Sequence, residues 1–390
     1  MSFQHSSSSC DSTRPAAEYT RYHLIVPKLP RSGIALSLSG GGFRATLYHA
    51  GAVLRLNELG LLRRINRFVG VSGGAITLGC LAMNWSRLQW QDGVARNLPA
   101  LLVEPLRNLC RRTIDIPSVV GGALQPRRPA ADALRRAYKR HLFGEFDLAD
   151  IPKRPTFVFQ STNLATGRSF RFYRDYLADY MIGSVSSRGV SLAKAVAASS
   201  AFPPFLSPLT LRFGAARFRK LPGATLHHKS EFTREVRLTD GGVYDNLGLE
   251  PAWDSATVLV SDAGAPFEHN AAIDPSWYGQ TARALDITTE QARSLRRRWL
   301  IDQFERGIRT GAYWGITTNI NDYRVRAVTV DRKVQLKICT IRTRLNRFTD
   351  EEKGQLMNLG YALSDAACRT RLGDIASAPF QFPDGSHPIC

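Results

Sequence analysis

The sequence is poor in the features that mark membrane-spanning, secreted and zinc-binding proteins. No run of about 18 or more apolar residues occurs among its 390 residues, so no membrane span is predicted. The six cysteines show no C-x-x-C spacing, which argues against structural zinc and favours a reducing compartment. The N-terminus lacks the apolar core of a signal peptide. These absences predict a cytoplasmic protein without a metal.

Acidic residues are scarce relative to basic ones. Lys and Arg number 52 against 33 Asp and Glu, which leaves a formal net charge of +19 at pH 7. Such an excess favours anionic partners, among them phospholipid headgroups, nucleotides and nucleic acid. The basic residues concentrate in two segments, 134–141 and 293–304. In the second, Leu295, Trp299 and Ile308 are predicted to share a helical face, which fits a membrane-surface helix or a core-packed helix with solvated arginines.

A serine between small residues is the most informative feature of the chain. Gly70-Val71-Ser72-Gly73-Gly74 fits the G-x-S-x-G elbow, in which a sharp strand-to-helix turn exposes a serine oxygen. The run 65–71 is short and rich in β-branched and aromatic residues, as a buried strand is, and 75–83 suits a buried helix. This context favours a nucleophilic serine, and hence acyl hydrolysis, over a solvated serine in a glycine-rich loop.

A second glycine cluster lies between a predicted strand, 33–39, and a predicted helix, 45–62. Gly40-Gly41-Gly42 leaves backbone N–H groups open to an anion, which in an acyl hydrolase is the tetrahedral oxyanion. Gly40, Gly42 and Ala45 also satisfy the dinucleotide-binding pattern G-x-G-x-x-G/A. That pattern needs an acidic residue at the end of the next strand, where this chain has Ser72 instead. The oxyanion interpretation is therefore favoured.

A serine nucleophile needs a base, and two residues are candidates. His269 is the best-placed histidine for an α/β-hydrolase triad, in which serine, acid and histidine follow in that order. Asp240 follows a predicted strand, 236–239, and precedes Gly241 and Gly242, which allow a close backbone approach. An aspartate in that position can lie against a serine hydroxyl, although an ordinary Asp-Gly turn fits the same residues.

Taken in chain order, these motifs resemble those of the patatin-like phospholipases, relatives of cytosolic phospholipase A2. The resemblance covers roughly residues 33–265 and rests on five segments: 39–44, 70–74, 155–167, 197–205 and 240–242. Two positions depart from the family pattern. Ser39 stands where many members have aspartate, and Ala45 stands where many have glycine.

The resemblance implies a Ser–Asp dyad that uses no histidine. Ser72 becomes the nucleophile and Asp240 the general base, and the oxyanion-hole loop comprises Gly40, Gly41, Gly42 and Arg44. The implied fold is α/β with three layers, in which a central, mostly parallel sheet carries helices on both faces. The implied reaction is hydrolysis of carboxylic esters of phospholipids or other lipids through an acyl-serine intermediate, without a cofactor.

Three regions are expected along the chain. The serine-rich segment 1–28 is predicted to be disordered, 29–265 to form the catalytic domain, and 266–390 to be a helical extension packed on the same domain. For an enzyme of lipids, the positive charge predicts peripheral contact with anionic membranes, where each basic residue near the surface contributes about 1 kcal/mol.

Two further functions remain open from the sequence. A nucleotide- or nucleic-acid-binding protein fits the charge, although no zinc spacing, RNP-like strand or basic coiled-coil region occurs. A bacterial phospholipase effector that is switched on by a cyclic oligonucleotide fits both the motifs and the charge, because arginines could bind such an anionic activator.

Overall fold

The computed structural model describes residues 31–115, 130–204, 206–214, 218–373, 375 and 378–390, so the predicted disorder of 1–28 lies outside them. The strands in this part of the chain are β1 (Arg31–Leu38), β2 (Arg67–Val71), β3 (Trp90–Gln91), β4 (Val94–Ala95), β5 (Thr156–Asn163), β6 (Arg168–Phe172), β7 (Tyr176–Asp179), β8 (Gly183–Ser186), β9 (Leu209–Arg212), β10 (Glu235–Asp240), β11 (Ser255–Asp262) and β12 (Thr310–Gly315).

The α-helices alternate with these strands over much of the chain. They are α1 (Gly42–Glu58), α2 (Gly73–Asn84), α3 (Glu104–Leu109), α4 (Ala130–Tyr138), α5 (Leu192–Ser199), α6 (Ser230–Thr233), α7 (Gly242–Asp245), α8 (Trp277–Glu305), α9 (Arg332–Cys339) and α10 (Asp350–Arg371). The predicted strand–helix alternation at β1–α1 and β2–α2 is present, as expected for a sheet covered by helices.

One mixed sheet organises the molecule. Its order is β12-β11-β1-β2-β5-β6-β7-β8, and the five strands from β12 to β5 pair in parallel. The strands β6, β7 and β8 continue the sheet in antiparallel fashion, and β10 pairs antiparallel with both β5 and β9. The predicted parallel centre is confirmed, and the antiparallel strands after β5 are an addition that the sequence motifs did not reveal.

Alternate residues of the parallel strands face two separate apolar layers. Leu36, Phe68 and Phe159 belong to a core that also includes apolar residues of α1, α2, α5 and α10. Their neighbours point the other way: Ala35, Val69 and Val158 pack with the segment 247–252 and with Leu300 of α8. Because successive side chains of a strand point to opposite faces, this division confirms the three-layer α/β fold.

The C-terminal region is joined to the rest of the described chain through both sheet and helices. β12 extends the sheet in parallel with β11, and α10 crosses α1 at very short range. A methyl carbon added at Gly51 of α1 would lie 1.9 Å from the Met357 carbonyl oxygen, and one at Gly360 would lie 1.9 Å from that of Tyr48. The absence of side chains at these two glycines therefore allows the two backbones to touch.

Replacing Gly360 with alanine is expected to lower the free energy of unfolding by about 1–3 kcal/mol, because the added methyl group overlaps the Tyr48 carbonyl. Gly385→Ala is the control, since no atom lies within 4 Å of the carbon added there. Chemical denaturation of both variants measures the difference. Equal stability of the two would contradict the close α1–α10 crossing.

Candidate active site

Two strands meet end to end along β5. β2 runs parallel to β5, and its last residue, Val71, pairs with Gln160. β10 runs antiparallel to β5, and its last residue, Asp240, pairs with Ser161, the next residue of β5. Ser72, which directly follows Val71, and Asp240 therefore reach the same point of the sheet from opposite directions.

Ser72 occupies a strained turn between β2 and α2. Its φ of 51° and ψ of −118° are rare for a residue with a side chain. The neighbouring glycines make the turn sterically feasible: a methyl carbon at Gly70 would lie 2.9 Å from the Ala75 Cα, and one at Gly74 would lie 2.3 Å from the Leu38 carbonyl oxygen. The structure thus contains the strand, sharp turn and helix that the G-x-S-x-G pattern requires.

The serine and the aspartate are in direct contact inside a cavity. The Ser72 hydroxyl lies close enough to the Asp240 carboxylate to lower its pKa, and the Gly242 N–H donates a hydrogen bond to the Asp240 Oδ1 at 2.7 Å. Both side chains are nearly buried, with 8% of Ser72 and 2% of Asp240 exposed. They line a cavity of about 700 Å³ that opens to the surface. The pair is therefore accessible to a small group of a substrate but largely screened from water.

Burial gives the Asp240 carboxyl the properties of a base near neutral pH. Burial raises its pKa to about 7, and the hydrogen bonds from Gly242 and Ser72 limit that rise. Asp262, which is also buried, behaves in the opposite way. Burial alone would raise its pKa, but Arg293, the Gly264 N–H and the Tyr313 hydroxyl outweigh burial and hold the pKa below its usual value. Of these two aspartates, only Asp240 is suited to exchange a proton at pH 7.

Ser199 links the two halves of the Ser–Asp pair. Its Oγ accepts a hydrogen bond from the Ser72 N–H at 2.9 Å and donates one to the Gln160 carbonyl at 2.6 Å. Its own carbonyl accepts a hydrogen bond from the Gly241 N–H at 3.2 Å. Ser199, at the end of α5, therefore fixes the positions of the Ser72 turn, β5 and the loop after Asp240 relative to one another.

The glycine loop before α1 offers two free donors beside Ser72. Gly41 and Gly42 have φ values of 140° and 57°, which favour glycine, and both line the cavity. Their N–H groups have no hydrogen-bond acceptor among the described residues. The Gly40 N–H, in contrast, donates to the Asn246 carbonyl at 3.0 Å. Within the predicted oxyanion-hole loop, the Gly40 N–H is therefore engaged elsewhere, and the N–H groups of Gly41 and Gly42 remain available.

The Arg44 side chain points away from the cavity. Its guanidinium donates to the carbonyls of Ala263 at 2.6 Å, Cys339 at 3.1 Å and Ile341 at 3.0 Å. The side chain is buried, and Arg44 does not line the cavity. Arg44 belongs to the predicted oxyanion-hole loop, but its side chain is engaged away from Ser72. It fastens the start of α1 to β11 and to the C-terminal region.

No described histidine lines the cavity that holds Ser72. The triad candidate, His269, is exposed and lies edge-on to Phe267, with 6.0 Å between the ring centroids. His49 is buried, and burial lowers its pKa to about 4, so that its ring is neutral at pH 7. Its two nitrogens lie 2.8 Å from the Ser261 Oγ and 2.9 Å from the Ser39 carbonyl oxygen. The structure brings no histidine to Ser72 within the described chain.

A larger cavity, of about 950 Å³, opens at the other end of the parallel strands. Its wall includes Arg67 and Thr156, the first residues of β2 and β5, together with Tyr173, Trp253 and Arg296. Neither Ser72 nor Asp240 contributes to it. In a sheet of this kind, catalytic groups gather where the parallel strands end, so the smaller cavity is the candidate active site.

Comparison with known families bears on this arrangement. A family model for patatin-like phospholipases matches residues 36–253, which is more than half of the chain. The chain belongs to the patatin-like phospholipase family. The matched region contains Ser72, Asp240, Gly41 and Gly42, all of which line the cavity.

The fold of this patatin-like chain is similar to that of human GIVD cytosolic phospholipase A2. The TM-score is 0.52 at 12% identity, over 87% of this chain and 61% of the human one. The same human protein in complex with methyl gamma-linolenyl fluorophosphonate gives a TM-score of 0.50 at 13% identity, over 87% and 58%. This chain spans about 60% of the length of that protein, and the likeness concerns the fold. No curated protein sequence matches the chain.

The second basic segment of this patatin-like protein is largely integrated into the fold. Arg293 is buried and pairs with Glu290 at 2.7 Å, and Trp299 packs edge-on against Trp253 with centroids 4.1 Å apart. α8 ends at Glu305, so the predicted sharing of a helical face with Ile308 is wrong. No helix in the described ranges is long and apolar enough to cross a membrane.

Sequence reasoning missed several residues of the cavity wall. Asp115, Asn246 and Arg344 line it, and the Arg344 Nε lies 2.9 Å from the Asp115 carboxylate. Asn246 is the last residue of the segment 240–246, which follows the predicted strand 236–239. Its position close behind Asp240 is the signal in the sequence that could have indicated it. Asp115 and Arg344 come from regions without a recognisable motif, and only the fold places them near Ser72.

We expect Ser199→Ala to lower kcat by about tenfold to a hundredfold, because Ser72 then loses the hydrogen bond that fixes its backbone and small displacements at a reacting group are costly. Ser364→Ala is the matched control, since this buried serine donates only to the Tyr361 carbonyl, within α10. Steady-state kinetics and Tm of both variants separate positioning from stability. Full activity of Ser199→Ala would remove Ser199 from the site.

Proposed function

We propose that this chain is a lipid acyl hydrolase of the phospholipase A or lysophospholipase type, which cleaves carboxylic esters through a Ser72–Asp240 dyad. The observation that carries the proposal is the position of the Ser72 hydroxyl beside a buried carboxyl whose pKa is about 7, inside an open cavity. A serine needs such an adjacent base to act as a nucleophile at neutral pH. The family membership supports a lipid ester as the substrate.

In the first half of the proposed reaction, Ser72 is acylated. Asp240 takes the hydroxyl proton as the Ser72 Oγ attacks the ester carbonyl. The N–H groups of Gly41 and Gly42 stabilise the negative charge that develops on the carbonyl oxygen; each such donor contributes on the order of 3 kcal/mol to transition-state stabilisation. The tetrahedral intermediate collapses when Asp240 returns the proton to the leaving alcohol, which leaves an acyl-Ser72 ester.

In the second half, water releases the acyl chain. Asp240 accepts a proton from a water molecule that attacks the acyl-Ser72 carbonyl, and the same two N–H groups hold the oxyanion again. Asp240 then returns the proton to the Ser72 Oγ, and the fatty acid leaves. One carboxyl thus serves as base and acid in both halves, which is favourable when its pKa lies near the working pH.

The other functions suggested by the sequence receive less support. A triad with His269 lacks contact between this exposed histidine and the cavity. Part of the positive charge lies inside the fold. Arg44, Arg55 and Arg293 are buried and bonded to carbonyls or carboxylates, so they do not face an external anionic partner. Peripheral contact with an anionic membrane and activation by a nucleotide stay predictions, and the formal net charge of +19 over the whole chain is what supports them.

Ser72→Ala and Asp240→Asn are each expected to lower kcat/KM on acyl esters by about 10³-fold or more, because nucleophile and base act as a unit. His269→Ala is expected to retain wild-type activity, since this side chain lies outside the cavity. A panel of phospholipid and simple acyl esters tests all three variants. Loss of activity in His269→Ala with survival in Asp240→Asn would favour a triad instead.

The pKa of Asp240 predicts the pH profile of the enzyme. The base must be ionised, so kcat/KM should fall about tenfold per pH unit below about 7 and level off above it. Measurement of kcat/KM between pH 5 and 9 tests this. A profile that is flat down to pH 5 would contradict a buried carboxyl as the base.

The same pKa predicts a pH-dependent stability. Because the pKa is 3.8 in the unfolded chain and about 7 in the fold, ionisation of Asp240 makes the fold less stable as pH rises from about 4 to above 7. Asp240→Asn removes this effect. Its Tm should therefore exceed that of the wild type by a larger margin at pH 8 than at pH 5. A margin that does not change with pH would argue against the raised pKa.

A further inference from the structure

The larger cavity, which opens where the parallel strands begin, is a second place for a ligand and is called the distal cavity below. Its volume of about 950 Å³ falls within the range of small-molecule sites, about 300–1,000 Å³. It shares no wall residue with the cavity around Ser72. β2 is five residues long and separates Arg67 from Ser72 by roughly 16 Å. A ligand of the distal cavity is therefore not the ester that reacts at Ser72.

Two pairs of aromatic rings form part of the wall of the distal cavity. Tyr173 and Tyr176 stack, with their ring centroids 4.5 Å apart and their planes 23° apart. The Tyr173 N–H donates to the Tyr176 carbonyl at 2.9 Å, which fixes this pair at the turn between β6 and β7. Trp253 and Trp299 form the second pair. Tyr176 is 42% exposed, which leaves ring surface on which a planar heteroaromatic ring can stack.

Basic residues outnumber acidic ones in the same wall. Five basic and three acidic residues line the distal cavity. Each acidic residue is paired with a different arginine of the wall, so these three carboxylates are already neutralised. The surplus of positive charge favours an anionic ligand. The basic residues are Arg67, Lys153, Arg171, Arg174 and Arg296.

Some N–H groups of these basic side chains are available to a ligand. Arg67 donates from Nη1 to a backbone carbonyl at 2.6 Å, and its Nε and Nη2 have no acceptor within the described ranges. The Lys153 side chain is exposed and forms no ion pair with a described residue. Arg296 is held in the wall by the Tyr244 carbonyl at 3.0 Å and the buried Asp245 carboxylate at 3.3 Å. Lysine and arginine N–H groups on such a wall are suited to phosphate oxygens.

The stacking surface and the cationic groups lie next to each other. Burial raises the pKa of the Tyr176 phenol, and the positive charges of Arg67 and Arg171 oppose that rise. Such an influence requires a short separation between the charges and the phenol. A planar ring that stacks on Tyr176 therefore carries its anionic substituents toward these arginines.

We propose that the distal cavity binds a nucleoside phosphate, whose base stacks on Tyr176 and whose phosphate oxygens accept hydrogen bonds from Arg67 and Lys153. The two kinds of surface together select this class. An aliphatic ligand would leave the cationic groups unmatched, and an inorganic anion would leave the aromatic surface in water. The proposal goes beyond the hydrolase function and does not depend on it, because the two cavities have separate walls.

The test measures binding of ATP, GTP, CTP and UTP to the wild-type protein by isothermal titration calorimetry. At least one nucleotide is expected to bind about tenfold more tightly than its nucleoside and than inorganic triphosphate, because base and phosphate both contribute. The solution contains no ester, so the result is independent of whether Ser72 hydrolyses lipids. Absence of binding of all four nucleotides at about 1 mM, or equally tight binding of nucleoside or triphosphate alone, would overturn the proposal.

Two variants locate the bound nucleotide. Tyr176→Ala removes the stacking surface and Lys153→Glu reverses one charge, and each is expected to weaken binding about tenfold. Tyr180→Ala and Lys333→Glu are the matched controls, because both side chains are exposed and neither lines the distal cavity. The Tm of each variant shows that it is folded. Unchanged affinity in either cavity variant, or equal weakening in the controls, would place the nucleotide elsewhere and overturn the assignment.

Discussion

The site depends on a one-residue step in the pairing of β5. Gln160 pairs with the last residue of β2 and Ser161 with the last residue of β10, so the two strands end head to head. A slip of one residue would turn every side chain of β10 to the opposite face and carry Asp240 away from Ser72. The hydrogen bonds of Ser199 to both sides of this junction show how the register is secured locally. The geometry of the Ser72–Asp240 pair is therefore a property of the sheet.

The position of Asp240 at this junction also explains its raised pKa. Because Asp240 ends a strand at the centre of a sheet with apolar layers on both faces, its carboxyl is withdrawn from water, and the pKa rises to about 7. The Gly242 N–H and the Ser72 hydroxyl keep it from rising further. Asp262, at the end of β11 in the same sheet, is equally buried but meets Arg293, and its pKa falls instead. Arg293, together with the Gly264 N–H and the Tyr313 hydroxyl, thus separates the pKa of Asp262 from that of Asp240.

Local patterns in the sequence predicted the parts of the site that lie next to each other along the chain. The glycines around Ser72 and before α1 are needed because the backbone passes within contact distance there, and such positions leave a motif. The resemblance to the family placed Asp240 with Ser72, whereas spacing alone could not, because their meeting depends on strand register. The involvement of Gly40 with Asn246 and of Arg44 with distant carbonyls could not be predicted, since both partners are defined only by tertiary packing.

The residues of the proposed chemistry and much of the wall of the cavity come from different parts of the chain. The residues that do the proposed chemistry lie within 36–253, the region that matches the family model. Much of the cavity wall comes from beyond it, from Gly264 to Arg293 and from Thr343 to Leu345. Arg44 and the α1–α10 crossing tie this later region to the glycine loop, so its position relative to Ser72 is set by the core. Under the proposed function, substitutions in 264–345 therefore change which esters reach Ser72 and leave the Ser72–Asp240 pair intact.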